Sequence, residues 1–242
     1  MSLVAVVLAA GKGTRMGSDL PKVLHRLRGE PLVVHVLRAA RAAGAGQLVV
    51  VVGHGAAQVQ AALAPEFPGL EFALQAEQRG TGHAVQCALS ALDGHSGDVL
   101  ILSGDVPRLR AGTLGRLAEA CARGPGRLAL ATFRPEDPRG YGRIVRDAAG
   151  QVAAIVEERD ASPAQRAIRE CNAGVYCAGA ALLRSELPTL GAANAQGEIY
   201  LTDLVARAAA AGVVALEVAA SEVAGVNTPE QLAALEAAAR AE

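Results

Sequence analysis

Residues 3–22 read LVAVVLAAGKGTRMGSDLPK, and the join at Leu8–Gly11 between an apolar run and a glycine-rich segment decides the fold. The run LVAVVL is almost continuously apolar, as expected of a parallel strand covered on both faces. It gives way to Gly11 and Gly13, which admit positive φ and carry no Cβ, so backbone amides there can approach an anion closely. Two more runs of the same kind, QLVVVV from Gln47 and DVLIL from Asp98, follow at spacings that leave room for amphipathic helices between them. Apolar runs alternating with amphipathic segments imply an α/β architecture, a mostly parallel open sheet with helices on both faces.

Working outward, the pattern predicts strands near 3–8, 47–52, 70–74, 98–102, 127–133, 172–178 and 213–218. Helices are predicted near 31–44, 55–64, 81–92, 111–123, 180–187, 201–211 and 228–240. A hairpin is expected at 142–146 and 151–155, turning through Asp147–Gly150. The last helix begins with Thr228 as its cap, Pro229 at its first position and Glu230 in its first turn. The chain has 242 residues without repeats or a low-complexity linker, so one domain covering 1–242 is expected. Ligands of open parallel sheets bind beyond the carboxyl ends of the strands. The loops after the strands at 3–8, 70–74, 98–102 and 172–178 carry the residues of chemical interest.

Composition excludes several classes. A net charge of −1, no Trp and only three Phe and three Tyr leave neither a basic footprint nor stacking platforms for nucleic acid. Cys87, Cys121, Cys171 and Cys177 form no CxxC pair, which argues against a zinc ribbon or a secreted disulfide scaffold and fits a reducing cytoplasm. No apolar run approaches the roughly 18–20 residues of a membrane span. The opening MSLVAVVLAAG lacks the basic segment of a signal peptide.

Of 23 basic residues only two are lysines, and both, Lys12 and Lys22, fall in the glycine-rich segment together with Arg15. A compact ammonium and a planar guanidinium are not interchangeable, so a site that needs a point charge explains the placement. The spacing is GxGxxxG rather than the GxGxxG of dinucleotide folds, and the second strand ends in Val52-Gly53-His54 with no ribose-binding acid. The GxxxxGK[ST] loop is absent. Three cations around a glycine turn gain nothing structurally, which favours a phosphate-binding role. His25, His35, His54, His83 and His95 show no metal-ligand spacing and read as ordinary polar or surface residues, with His83 at a helix start. Tyr141 and Tyr200 suit packing as well as substrate contact.

The segment LAAGKGTRMGSDLPKVLH closely resembles the signature of sugar-phosphate nucleotidylyltransferases, in particular the N-acetylglucosamine-1-phosphate uridylyltransferase domain that forms the N-terminal part of bifunctional GlmU enzymes. The resemblance continues in order through LQAEQRGTGHA (74–84), SGDVP (103–107), GYGRIV (140–145), IVEERDAS (155–162), CNAGVY (171–176), GEIYLTD (197–203) and VAGVN (223–227). It implies a Rossmann-like fold of the nucleotide-diphospho-sugar transferase type. Leu8, Ala9, Ala10 and Gly11 would line the uridine and phosphate site, and Arg15 and Lys22 would act catalytically on the nucleotide phosphates. Gln75, Gly80 and Thr81 would read the uracil. Gly142, Glu157 and Asn172 would hold the sugar, with Ser103 and Gly104 beside them in the substrate site. Asp105 and Asn227 would be the protein ligands of Mg²⁺. Some relatives carry Tyr where this chain has Ser103. The hexapeptide repeats of a left-handed β-helix acetyltransferase domain are absent from these residues, so no acetyl transfer is expected of them.

The implied reaction transfers UMP from UTP to N-acetylglucosamine 1-phosphate. The attacking phosphate oxygen is already ionised near neutrality, so no nucleophilic side chain is required. The obstacle is the approach of one anion to another, which Mg²⁺, Arg15 and Lys22 would offset. The alternatives are a nucleotidylyltransferase for another sugar 1-phosphate or a cofactor precursor, and a non-catalytic nucleotide-sugar-binding module. The joint presence of Arg15, Lys22, Asp105 and Asn227 argues against the pure binder. Expected partners are UTP and a sugar 1-phosphate, with no nucleic acid and no membrane.

Overall fold

The structure, a computed structural model, describes residues 2–240. Its strands are β1 (Leu3–Ala9), β2 (Arg26–Leu27), β3 (Glu30–Pro31), β4 (Ala45–Val52), β5 (Glu71–Leu74) and β6 (Asp98–Ser103). They continue as β7 (Leu128–Phe133), β8 (Arg143–Arg146), β9 (Val152–Val156), β10 (Cys171–Gly179) and β11 (Val214–Glu217). The helices are α1 (Leu32–Ala42), α2 (Ala56–Leu63), α3 (Thr81–Cys87), α4 (Ala111–Arg123), α5 (Pro163–Arg166), α6 (Ala180–Glu186), α7 (Asp203–Ala208), α8 (Ala220–Val223) and α9 (Pro229–Arg240).

The main sheet runs β11-β7-β10-β6-β1-β4-β5, with the β8–β9 hairpin attached through β10. β1 pairs in parallel with β4 and β6, β4 with β5, and β7 with β11. The two-sided burial inferred for the first strand is what organises the core. Ala5, Val7 and Ala9 point into one apolar cluster with Val33 and Leu37 of α1, Leu63 of α2 and Leu114 of α4. Val4 and Val6 point into the opposite cluster with Val85 of α3, Leu183 of α6 and Val205 of α7. Side chains that alternate across a strand thereby satisfy two helical layers. Among the described residues no helix is long and apolar enough to cross a membrane.

The open, mostly parallel sheet agrees with the sequence reading, with one exception. β10 runs antiparallel to both β6 and β7. The connection from β7 to β10 holds the β8–β9 hairpin and the one-turn α5, not the packed helix that usually carries a parallel crossover. The loop after 172–178 therefore lies at the wrong edge for the site. The beginning of β10, carrying Asn172 and Gly174, takes its place. Two predicted helices are also shorter: α3 stops at Cys87 before a 3-10 turn at Leu89–Leu92, and α7 passes into one at Ala209–Ala211. The β2–β3 hairpin, turning through Arg28 and Gly29 at positive φ, was not foreseen.

Candidate active site

The glycine-rich loop leaves β1 at the middle of the sheet and folds back on itself at Gly13. Its φ is +62°, and a Cβ there would stand 2.6 Å from that of Lys22, so only glycine lets the two halves of the loop meet. The loop is held from outside by a third apolar cluster, in which Met16 joins Leu27, Leu32, Val226 and Leu235 of α9. That packing brings the segment before α9 over the loop. The backbone amide of Val226 donates to the Asp105 carbonyl at 2.9 Å, which ties the same segment to the turn after β6.

Three of the implicated side chains meet at this junction. Lys22 Nζ pairs with the Asp105 carboxylate and donates to Asn227 Oδ1 at 3.1 Å. The same Asn227 oxygen accepts from Arg15 Nη2 at 2.9 Å. The side chains of Lys22 and Asp105 are 18% and 15% exposed, open enough to exchange partners with a ligand. Asp105 and Asn227, 122 positions apart in sequence, thus share one cation. Lys12 is exposed and lies outside this group.

Beside the junction opens a cavity of about 300 Å³. Leu8, Ala9, Ala10 and Gly11 form its floor, and Lys22 and Asp105 one wall. Gln75, Gly80, Thr81 and Ser103 complete the residues anticipated for it. A smaller cavity of about 80 Å³ adjoins it, sharing Leu8, Thr81 and Ser103 and adding Glu157 and Asn172. The remaining implicated residues act from the edges. Gly104 donates its amide to the Leu8 carbonyl at 2.9 Å, and the Gly142 carbonyl accepts from the Asn172 amide at 2.9 Å. A Cβ on Gly142 would approach Glu157 Oε2 to 3.4 Å and Ile155 to 2.8 Å. Arg15 and Asn227 line neither cavity and join the group through the Asn227 side-chain oxygen.

Gly80 shows why the base-side loop reads RGTGHA. At φ +107° its Cβ would lie 2.5 Å from the Ile199 carbonyl oxygen. The segment 79–82 is clamped against 199–201: the Ile199 amide donates to Arg79, the Gly82 amide to Ile199, and the Leu201 amide to Thr81 Oγ1.

In the smaller cavity, Thr202 Oγ1 donates to Glu157 Oε1 at 3.1 Å. Burial pushes the Glu157 carboxyl above its ordinary range against that hydrogen bond, and Asp160, Asp203 and Glu198 push it further. Asn172 donates to the Tyr176 hydroxyl at 2.6 Å and accepts from the Gly174 amide at 3.0 Å, which fixes its amide. Glu158, the next residue along, pairs with the buried Arg143 at 2.6 Å. Neither of the two is merely solvated. Tyr141 packs edge-on against Phe133, and the Tyr200 hydroxyl accepts from Gln196, so both are engaged in packing.

Sequence reading missed Gln78, Glu198, Gly174, Tyr176 and Thr202 as lining residues, and His83 as the partner of Gln75. All lie inside or beside the quoted motifs, which was the signal available.

Residues 5–198 match the MobA-like NTP transferase domain. The chain belongs to that family. The enzyme class anticipated from sequence, nucleotidyltransferase, is the class of the family. A bifunctional protein GlmU of Anaeromyxobacter sp. (strain Fw109-5) is 57% identical over 234 residues, 96% of this chain and 48% of that protein. A bifunctional protein GlmU of Chromohalobacter salexigens is 54% identical over 98% of this chain and 52% of its own length. The chain thus spans about half the length of the curated relatives it matches. Among solved structures, a UDP-glucose pyrophosphorylase complexed with UDP-glucose superposes with a TM-score of 0.79 at 16% identity, over 100% of this chain and 99% of the other. A CMP:2-keto-3-deoxy-manno-octonic acid synthetase complexed with CTP gives 0.73 at 20% identity, again over 100% of this chain and 99% of the other. These two establish the fold alone.

Proposed function

We propose that residues 1–242 act as one nucleotidylyltransferase unit that transfers UMP from UTP to N-acetylglucosamine 1-phosphate, releasing pyrophosphate and giving UDP-N-acetylglucosamine. The observation that supports this most is the pairing of two adjoining cavities across the Leu8, Thr81 and Ser103 wall, with the Lys22–Asp105–Asn227 group beside the larger. A nucleotide lobe and a sugar lobe that share a wall suit a reaction joining the two. The similarity to GlmU over nearly the whole chain supports the same reading.

In this reading the uridine lies over Leu8–Gly11, with its base toward Gln75, Gly80 and Thr81. The sugar lies between Gly142, Glu157 and Asn172, next to Ser103 and Gly104. An oxygen of the sugar phosphate attacks the α-phosphorus, and the bond from that phosphorus to the oxygen bridging to the β-phosphate breaks. Arg15 and Lys22 stabilise the charge that moves onto pyrophosphate. Asp105 and Asn227 fit a hard divalent cation, because a carboxylate and an amide oxygen already converge on one cationic point. They would hold Mg²⁺, which when bound neutralises the phosphate oxygens and helps align the displacement. Both substrates are soluble and cytoplasmic, and neither nucleic acid nor membrane enters the reaction.

Pyrophosphate release from the purified chain tests the proposal. UTP with N-acetylglucosamine 1-phosphate is expected to turn over in the presence of Mg²⁺ and to stop on chelation. Faster release with glucose 1-phosphate would overturn the sugar assignment, and no release with any sugar phosphate would overturn catalysis.

A further inference from the structure

Gln75 follows β5 directly and is 3% exposed, yet it lines the larger cavity. Its amide nitrogen donates to the Gly80 carbonyl oxygen at 3.0 Å and lies 3.2 Å from His83 Nδ1. A carbonyl oxygen only accepts, so the amide nitrogen must be the group that faces Gly80; the flipped amide would bring two oxygens together. Its second hydrogen then meets His83 Nδ1, which must accept. The imidazole proton is therefore on Nε2, where the nearest partner is Cys87 Sγ at 3.7 Å, one helical turn along α3. The segment carrying Gly80 is held by the Ile199 amide on the Arg79 carbonyl and the Gly82 amide on the Ile199 carbonyl. Among the described residues no donor reaches Gln75 Oε1.

We infer that His83, which does not line the cavity, is a specificity-determining positioning residue: together with the Gly80 carbonyl it fixes the Gln75 amide so that only the oxygen is offered to a nucleobase. This rests on reading Gln75 as the base-recognising side chain. It makes Gln75 an acceptor toward the base and not a donor. An acceptor matches the imide N3–H of uracil and opposes the bare N3 of cytosine. Without His83 one amide hydrogen has no partner and only the Gly80 carbonyl opposes a flip, so the orientation that turns NH₂ toward the ligand, where it suits cytosine, becomes less costly.

Turnover of UTP and CTP at a fixed sugar phosphate concentration, in wild type, His83→Leu and His83→Asn, tests this. His83→Leu is expected to lower the UTP-to-CTP ratio of kcat/KM by about 3–10-fold, the worth of one net hydrogen bond, through KM for UTP and not through kcat. His83→Asn places an acceptor oxygen where Nδ1 stood and is expected to restore the wild-type ratio. The imidazole ¹⁵N spectrum of the wild-type protein is expected to show the Nε2–H tautomer, a measurement that needs no variant to fold. A wild type that uses CTP as readily as UTP overturns the Gln75 reading and this inference with it. A discriminating wild type whose ratio survives His83→Leu, or an Nδ1–H tautomer, overturns the role of His83 alone.

Discussion

β6 has an aspartate at each end, and the two are treated oppositely. Asp98 opens the strand and is buried, its side chain 5% exposed. It accepts from the Arg127 guanidinium and, at 3.5 Å, from the Cys121 thiol. Arg127 also donates to the Ala122 carbonyl, so its fork is committed to the protein. Asp105, just past the other end, pairs instead with a single ammonium, that of Lys22, beside a cavity and a second amide oxygen. A planar fork locked by several hydrogen bonds suits a permanent clamp, whereas a point charge on a flexible stem can be traded for another cation or a phosphate. The same pairing of acid and base serves structure at one end of the strand and exchange at the other.

The largest expected effect tests the functional end. Asp105→Asn is expected to lower kcat by about 10²–10³-fold at saturating Mg²⁺, since it removes the charge that would organise the phosphates. Its melting temperature should stay within about 4 °C of wild type, because Lys22 keeps the Asn227 oxygen as a partner when the Asp105 charge is removed. Circular dichroism melts beside pyrophosphate release read both. A variant that loses stability as much as activity would make Asp105 a clamp like Asp98 and end the contrast. Lys22→Arg sharpens it further. A fork at this position is expected to hold Asp105 and Asn227 as well as lysine does, yet to slow turnover.

Much of this was legible in sequence, for identifiable reasons. The strands at 3–8, 47–52 and 98–102 announce themselves because burial on both faces demands unbroken apolar runs. The loop at 11–22 does so because glycines and cations have no structural reason to gather there. The direction of β10 was not legible: CNAGVYCAG is equally apolar whether it runs parallel or antiparallel. The 3-10 turns at 89–92 and 209–211 escaped because their apolar spacing continues that of the helices before them. His83 was read as ordinary since its role lies in one ring nitrogen accepting from a side chain eight residues earlier, which no periodicity reports. The Lys22–Asp105–Asn227 group was within reach only through resemblance, as spacing across 205 residues carries no local signal.

The opposite end of β6 supplies the next test. Asp98→Asn leaves the Arg127 guanidinium without its counter-charge beside the buried Cys121. Breaking a fully buried pair costs several kcal/mol, but the Arg127 side chain is 35% exposed, so a loss of about 2 kcal/mol is expected. That corresponds to a fall in melting temperature of about 4–8 °C for a domain of this size, with kcat unchanged. Reduced turnover in folded Asp98→Asn protein would mean that the strand transmits its clamp to the site, and the two ends would no longer be independent.

Two glutamates, Glu170 buried and Glu157 partly buried, carry the contrast to its smallest scale. Glu170 accepts both arms of Arg146, at 2.9 and 2.7 Å, and that partner holds its carboxyl below the ordinary range. A lowered pKa contributes stability above the unfolded value, which is lost as pH falls through the folded one. Among the described residues Glu157 has only the Thr202 hydroxyl as a hydrogen-bond partner, and burial raises its carboxyl. A raised pKa works in the other direction: its contribution is complete below the ordinary 4.5 and is lost as pH climbs through the folded value. Glu157→Gln is therefore expected to melt with wild type in acid and above it near neutrality, while Glu170→Gln melts below wild type near neutrality and converges with it in acid. The stability gained by Glu157→Gln should come with a rise of about tenfold in KM for the sugar phosphate, the loss of one charged hydrogen bond. Melting curves from pH 4 to 8 would show the two variants diverging from wild type in opposite senses. If Glu157→Gln instead loses stability at neutral pH, the carboxylate has a cationic partner in solution and belongs with Asp98 among the clamps. If it gains stability with KM unchanged, Glu157 carries the cost of burial without touching the sugar, and the smaller cavity is not the sugar lobe.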